Sequence, residues 1–365
     1  MKPEVTVREI FISVLLFYGV SAHAEDRSNA GGYQLPEGIL AQIELGKAGL
    51  LKPFFSNEWY GVASERNGLS RATVGVALSG GGLTGYKDET TSFVLPITAL
   101  QALPDGRSYV RYSFSGSVGV AEPTKVSGDA RVPDFLVQYM TYPDVNTMFA
   151  AGAFVERAYV DFGDATTARN GYGLRLDAAE KFSENWGIYG RVQYSLGESE
   201  TKVDIAPGLR SVHIQGDDRL YLQGELTGQF RTEDAAVIPE DWVIHPSLGM
   251  LYNQANLEST VDNFGVRSSG VLGPKEKYGT AWANLSFEKE VPPGDWSPNL
   301  GIGVEHEFVN SLDAYIDEST YAIFSAGASM QMKNGRRIDV GYSRHQGLNG
   351  NRWSQSFVAA LTMSF

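Results

Sequence analysis

Phe357-Val358-Ala359-Ala360-Leu361-Thr362-Met363-Ser364-Phe365 closes the chain. Phe357, Ala359, Leu361, Met363 and Phe365 share one parity; Val358, Ala360, Thr362 and Ser364 share the other. A period of two is the signature of a strand, here with one large apolar face and one small or polar face. The strand runs to the last residue and ends on an aromatic carboxyl terminus. In a soluble sandwich the apolar face would look inward at a core. In a membrane barrel it would look outward at lipid.

The other end of the chain bears on that choice. Lys2 and Arg8 precede an apolar run over 10–20, and Ala22-His23-Ala24 follows. A charged start, a short apolar stretch and an Ala-x-Ala site make a secretory signal peptide, so residues 1–24 are read as cleaved and the mature chain as starting near Glu25. The run is shorter than the ~20 apolar residues a spanning helix needs, and no later stretch reaches that length. There is no cysteine, hence no disulfide framework and no thiolate metal site. A net charge of -13 argues against nucleic acid, whose phosphates need Lys and Arg. The high Gly, Tyr and Phe content suits small lipid-facing positions and aromatic girdles.

Residues 25–70 read as a short, partly helical segment, periplasmic or plug-like. Apolar residues at Ile39, Leu40, Ile43, Leu45, Leu50 and Leu51 fit a helix, and Gly46 and Gly49 weaken it. From residue 71 the period becomes two and stays there. The strand candidates are 72–79, 91–103, 108–120, 130–142, 147–162, 172–183, 188–197, 219–230, 242–252, 277–288, 298–308, 321–332, 336–345 and 355–365. In the cleanest, Leu220, Leu222, Gly224 and Leu226 oppose Tyr221, Gln223, Glu225 and Thr227. An oily side against a polar side, strand after strand, is the pattern of a transmembrane barrel.

The connections alternate. Pro104-Asp105-Gly106-Arg107, Pro143-Asp144-Val145-Asn146, Glu184-Asn185-Trp186-Gly187 and Lys333-Asn334-Gly335 have the chemistry of tight turns. Longer polar stretches lie between them, among them 163–171, 198–218, 253–276 and 309–320. The expected architecture is therefore all-β: a transmembrane antiparallel up-and-down barrel of 12–14 strands, 14 preferred, over 71–365, with both ends of the wall on the short-turn side.

The stretch from about Tyr109 to Phe365 resembles the outer-membrane β-barrel of autotransporters, the translocator domain of type V secretion. Tyr172-Gly173-Leu174-Arg175-Leu176-Asp177 with Trp186-Gly187-Ile188-Tyr189, the strand 242–252 built on Trp242, Pro246 and Tyr252, and the strand 299–308 around Glu305-His306-Glu307-Phe308 carry the likeness. Phe365, with Phe357 on the same face, resembles the C-terminal assembly signal of such barrels. The resemblance implies an outer-membrane location, insertion by the barrel-assembly machinery with periplasmic chaperones, and contact with outer-membrane lipid and lipopolysaccharide. It implies no cofactor and no metal. Family barrels have twelve strands, which 108–365 supplies; 72–103 adds a hairpin. Family members also carry a long passenger, and fewer than fifty residues separate Ala24 from Arg71. The function implied is a translocator-like barrel with little or no passenger. The alternatives are a passive, porin-like pore for small solutes or a structural or adhesive surface barrel.

No catalytic constellation stands out. His306 lies between Glu305 and Glu307, but neighbours on a strand point to opposite faces. His245 and Ser247 share a face without an acidic third member in that strand. The polar parity of the strands instead selects Arg111, Arg175, Asp177, Arg191, Glu225, Glu305, Glu307, Arg337 and Asp339 as residues facing the lumen. They would either line a pore or form a charge network that ties strands together.

Overall fold

The computed structural model describes residues 89–364 other than 106, 123–127, 145, 162–164, 269–273, 293, 311–317, 333–335 and 351–352. The expected signal peptide over 1–24, the 25–70 segment, the first strand candidate at 72–79 and the terminal Phe365 lie outside the described residues.

The strands are β1 (Glu89–Ala102), β2 (Ser108–Glu122), β3 (Gly128–Thr141), β4 (Thr147–Asp161), β5 (Ala165–Lys181), β6 (Trp186–Ala206), β7 (Leu209–Gly228), β8 (Trp242–Leu257), β9 (Thr260–Val261), β10 (Arg267–Ser268), β11 (Lys275–Lys289), β12 (Trp296–Asn310), β13 (Thr320–Gln331), β14 (Arg337–Gly347) and β15 (Trp353–Ser364). All but β9 and β10 join into one closed barrel in which chain neighbours are wall neighbours. Among the described residues thirteen strands build the wall, one for each candidate from 91–103 onward.

Thirteen lies within the expected twelve to fourteen, and because it is odd it changes two details, the all-antiparallel wall and the placing of both its ends on one side. Strand direction alternates around the wall, so the first and last strands run the same way. The ladder between β1 and β15 is accordingly parallel, with Thr98 opposite Thr362 and Leu100 opposite Ser364, while every other ladder of the wall is antiparallel. The wall therefore does not begin and end on one side. Glu89 sits at the rim opposite the short turns, and β15 runs down to the short-turn rim.

The outward face is apolar. Phe135, Val137, Phe149, Val155, Leu174, Leu176, Ile188, Leu248, Leu300 and Ile302 are all exposed. Trp186, Trp242 and Trp296 occupy the first residue of β6, β8 and β12, on the outward parity, and mark the short-turn edge of this band. On β6 the outward residues then run through Ile188, Val192, Tyr194 and Leu196 before changing abruptly to Glu198 and Glu200. From Trp186 to Leu196 a strand tilted by ~40° climbs about 25 Å, the height of the apolar belt that a bilayer requires.

Beyond the band the wall continues. β6 and β7 have 21 and 20 residues, where a span needs about 9–11. The stretch 198–218, read above as a loop, is a hairpin with Pro207 and Gly208 at its tip. Gly208 has φ 78°, which a turn with proline first and glycine second demands. β8 stops at Leu257, opposite Asp217, so the rest of β7 would have an open edge. The 258–268 segment covers it. The Asn263 amide donates to the Val212 carbonyl (3.1 Å), the Glu258 amide to Gly216 (3.0 Å), and Thr260 Oγ1 to Ile214 (2.8 Å). Asn263 Oδ1 in turn accepts from the Val212 amide (2.8 Å). Side chains here complete a ladder that a further strand would supply, and so blunt an edge that would recruit another chain.

At the opposite rim the turns are short. Asp105 Oδ1 accepts from the amides of Arg107 (3.1 Å) and Ser108 (2.9 Å). The Ser108 hydroxyl, with those amides, holds the Asp105 carboxyl below the usual carboxylate range.

Candidate functional site

The inward parity carries the buried polar residues, and contacts between strands that are not neighbours show that these side chains point into the barrel. Asp177 of β5 is the centre of the first cluster. It accepts from Arg175 Nε (2.8 Å), Arg191 Nε (2.8 Å), the Tyr189 hydroxyl (2.7 Å) and Gln138 Nε2 (2.6 Å). Arg111 reaches it from β2 at 3.5 Å and donates to Gln138 Oε1 at 2.5 Å. One carboxylate thus ties together β2, β3, β5 and β6.

A second cluster lies toward the long-excursion rim. Arg169 grips Asp217 with two nitrogens, Nε at 2.7 Å and Nη2 at 2.6 Å, and also pairs with Glu156; Arg219 Nε donates to Asp217 at 3.1 Å. This paired-fork geometry is the strong form of an arginine–carboxylate contact. It joins β4, β5 and β7.

The facing wall is built differently. Glu305 of β12 accepts from Thr280 Oγ1 (2.7 Å), and its other oxygen lies 2.5 Å from His345 Nδ1 of β14. Glu307 accepts from the Tyr278 hydroxyl at 3.3 Å. Arg337 and Asp339 pair along β14, Nη2 to Oδ1 at 2.9 Å. His245 Nδ1 donates to the Gly228 carbonyl (3.2 Å), and its Nε2 lies 3.5 Å from Glu288 of β11.

Eight of the nine residues selected from the sequence are buried on the inward face: Arg111, Arg175, Asp177, Arg191, Glu225, Glu305, Glu307 and Asp339. Arg337 is half-buried beside Asp339. The structure brings Arg111, Arg175, Asp177 and Arg191 into one cluster and places Glu305 and Glu307 on the opposite side. Glu225 stands apart on β7. The buried charges on β2–β6 are Arg111, Arg169, Arg175 and Arg191 with Asp177; on β7–β14 they are mostly Glu and Asp. The interior is basic along one wall and acidic along the other, which sets a field across it.

Two expectations change. First, the inward face is not uniformly polar. Tyr109, Met140, Tyr142 and Met148 form an apolar group near the short turns, and Tyr221, Leu251, Tyr278, Trp282 and Ile323 form another on the acidic wall. Second, an acidic neighbour of His245 does exist, supplied by β11 rather than its own strand. No hydrogen bond joins Ser247 Oγ to His245, whose ring nitrogens face the Gly228 carbonyl and Glu288, so no nucleophile–base pair is assembled among the described residues. His306 is exposed while Glu305 and Glu307 are buried, as strand parity requires. Phe357 is exposed on the outward face, its ring 5.1 Å from that of Tyr342.

Gln138, Glu156, Arg169, Asp217, Arg219, His345 and Glu288 also belong to these clusters and were not selected. For Arg169 the signal was present: it lies six residues before Arg175, on the same parity.

Among solved structures, the chain is similar to the translocator domain of the autotransporter NalP from Neisseria meningitidis, with a TM-score of 0.53 and 12% identity over 83% of this chain and 95% of that one. It is also similar to the β domain of the Bordetella autotransporter BrkA, with a TM-score of 0.50 and 14% identity over 69% of this chain and 96% of that one. No protein-family model and no curated protein matches the chain. At these identities the likeness is one of fold: the chain shares a closed β-barrel with these two translocator domains.

Proposed function

We propose that this protein is an integral outer-membrane barrel acting as an autotransporter-type translocator domain, with no catalytic role. The observation that carries this reading is the fold likeness to the NalP domain, which extends over nearly all of that domain. A second feature supports it. β1 enters the wall at the long-excursion rim, so Glu89 lies on the side that membrane barrels turn outward.

Membrane location is checked first. The protein is expected to stay in membranes washed with alkaline, high-salt buffer and to run as a compact, heat-modifiable band on unboiled gels. Its mature N-terminus is expected near Glu25. Release into the wash would sink the membrane reading. Translocation is checked by inserting a small reporter domain after Ala24. The expected result is a reporter that protease reaches on intact cells. A reporter that stays protected while the barrel folds normally would remove the translocator reading. Conductance in a planar bilayer would then mark the chain as a solute pore.

A further inference from the structure

We infer that Arg131 and Arg157 form a site on the outside of the barrel for the phosphate group of a membrane lipid. Arg131 of β3 and Arg157 of β4 are both exposed and share the outward parity with Phe135, Val137, Phe149 and Val155. Arg131 is opposite Tyr159, which makes Arg157 its diagonal neighbour on the same face. Diagonal positions are about 7–8 Å apart, so two guanidinium groups can close on one anion. Neither arginine has a hydrogen bond or ion pair among the described residues, whereas Arg210 is bound to Asp204 and Lys202 to Glu200 on the neighbouring hairpin.

Their height identifies the occupant. Both arginines sit where the apolar band ends on the long-excursion side: below them come Phe135 and Val155, and beside them, on β5, exposed Tyr172 and Asn170. A ligand that meets cations at this level and hydrocarbon-seeking side chains just beneath it carries an anion at one end and acyl chains at the other. That is a phosphate-bearing lipid rather than free phosphate or an acidic peptide. The rim is specific in this respect, since on β6 the outward positions in register with Arg157 and Arg131 hold Glu198 and Glu200. Arginine suits the role because its planar fork donates two parallel hydrogen bonds to phosphate oxygens.

The inference rests on the apolar band lying in lipid and is independent of whether the barrel translocates anything. Its test uses the full mature chain, folded and purified in detergent, with lipid retention followed by native mass spectrometry. Phosphatidic acid is the probe, phosphatidylcholine of the same chains the neutral control, and inorganic phosphate the competitor. The expected result is preferential retention of phosphatidic acid, weakened about tenfold in Arg131→Gln/Arg157→Gln, with little change in Arg107→Gln at the other rim. Inorganic phosphate at the lipid's own concentration is expected not to displace it. Unchanged retention in the double variant overturns the inference, as does equal loss in Arg107→Gln or displacement by inorganic phosphate. If the double variant does not yield the heat-modifiable band, the salt dependence of retention by the natural chain decides, and a salt-insensitive preference overturns it. A protein that fails the alkaline wash refutes the membrane reading instead.

Discussion

Asp177→Ala is expected to cost the folded barrel roughly 3–5 kcal/mol, the range for removing one partner from a buried, hydrogen-bonded charge cluster. The carboxylate accepts four hydrogen bonds at 2.6–2.8 Å, from Gln138, Tyr189, Arg175 and Arg191, and stands between those arginines and Arg111. Alanine takes away the negative charge and leaves three like charges crowded on one wall. The check is the temperature at which the heat-modifiable band converts, or the urea midpoint, in a fixed detergent. Asp177→Asn keeps the volume and one acceptor and should lose less. Adding Arg191→Met to Asp177→Ala should recover part of the loss, because it removes one of the cations left behind. Asp339→Ala is the contrast: its partner Arg337 is a near neighbour on the same strand and half-buried, so the loss should be smaller. Lumen charges that only lined a pore would behave otherwise, with Asp177→Ala changing ion selectivity and leaving the transition in place.

Which parts of this were legible in the sequence follows from where water and lipid lie. Within the apolar band the two faces of a strand meet different solvents, so the period of two is loud. Each candidate from 91–103 onward is a strand of the wall. Above the band both faces meet water or polar side chains. On β6, Glu198 and Glu200 point outward and Ser199 and Thr201 inward; all are polar, and the contrast vanishes. The hairpin 198–218 therefore has the sequence character of a loop, with only Pro207-Gly208 to betray it, and the inward parity of Arg169 and Asp217 is hidden in such stretches. Tyr109, Met140 and Tyr142 fail for the complementary reason. Parity assigns a side chain to a face but cannot say that an apolar residue is inside when both faces carry apolar residues. The parallel seam could not be read at all, because strand count and register are properties of the closed wall and of no single strand.

The interior apolar group supplies the second large effect. Gly249 of β8 is directly opposite Trp282 of β11, and the indole lies across the glycine. A Cβ at Gly249 would run into the ring and into nothing closer. The ring has little room to yield, since Leu251 beside it is fully buried and Tyr221, Tyr278 and Ile323 belong to the same group. Gly249→Val is thus an overpacking substitution, expected to cost about 1–3 kcal/mol and to lower the conversion temperature of the heat-modifiable band. Because the obstacle is a side chain, Trp282→Leu in the same molecule should restore much of the loss. Gly173 of β5 provides the control that isolates the cause. Phe154 of β4 covers it in the same manner, but a Cβ there would also meet the backbone carbonyl of Tyr194 on β6. Gly173→Val should therefore stay destabilised when Phe154 is cut back to leucine. Equal rescue at both sites would show that the aromatic rings alone set the limit. Rescue at neither would mean that these glycines are required by the wall's backbone and not by the rings that cover them.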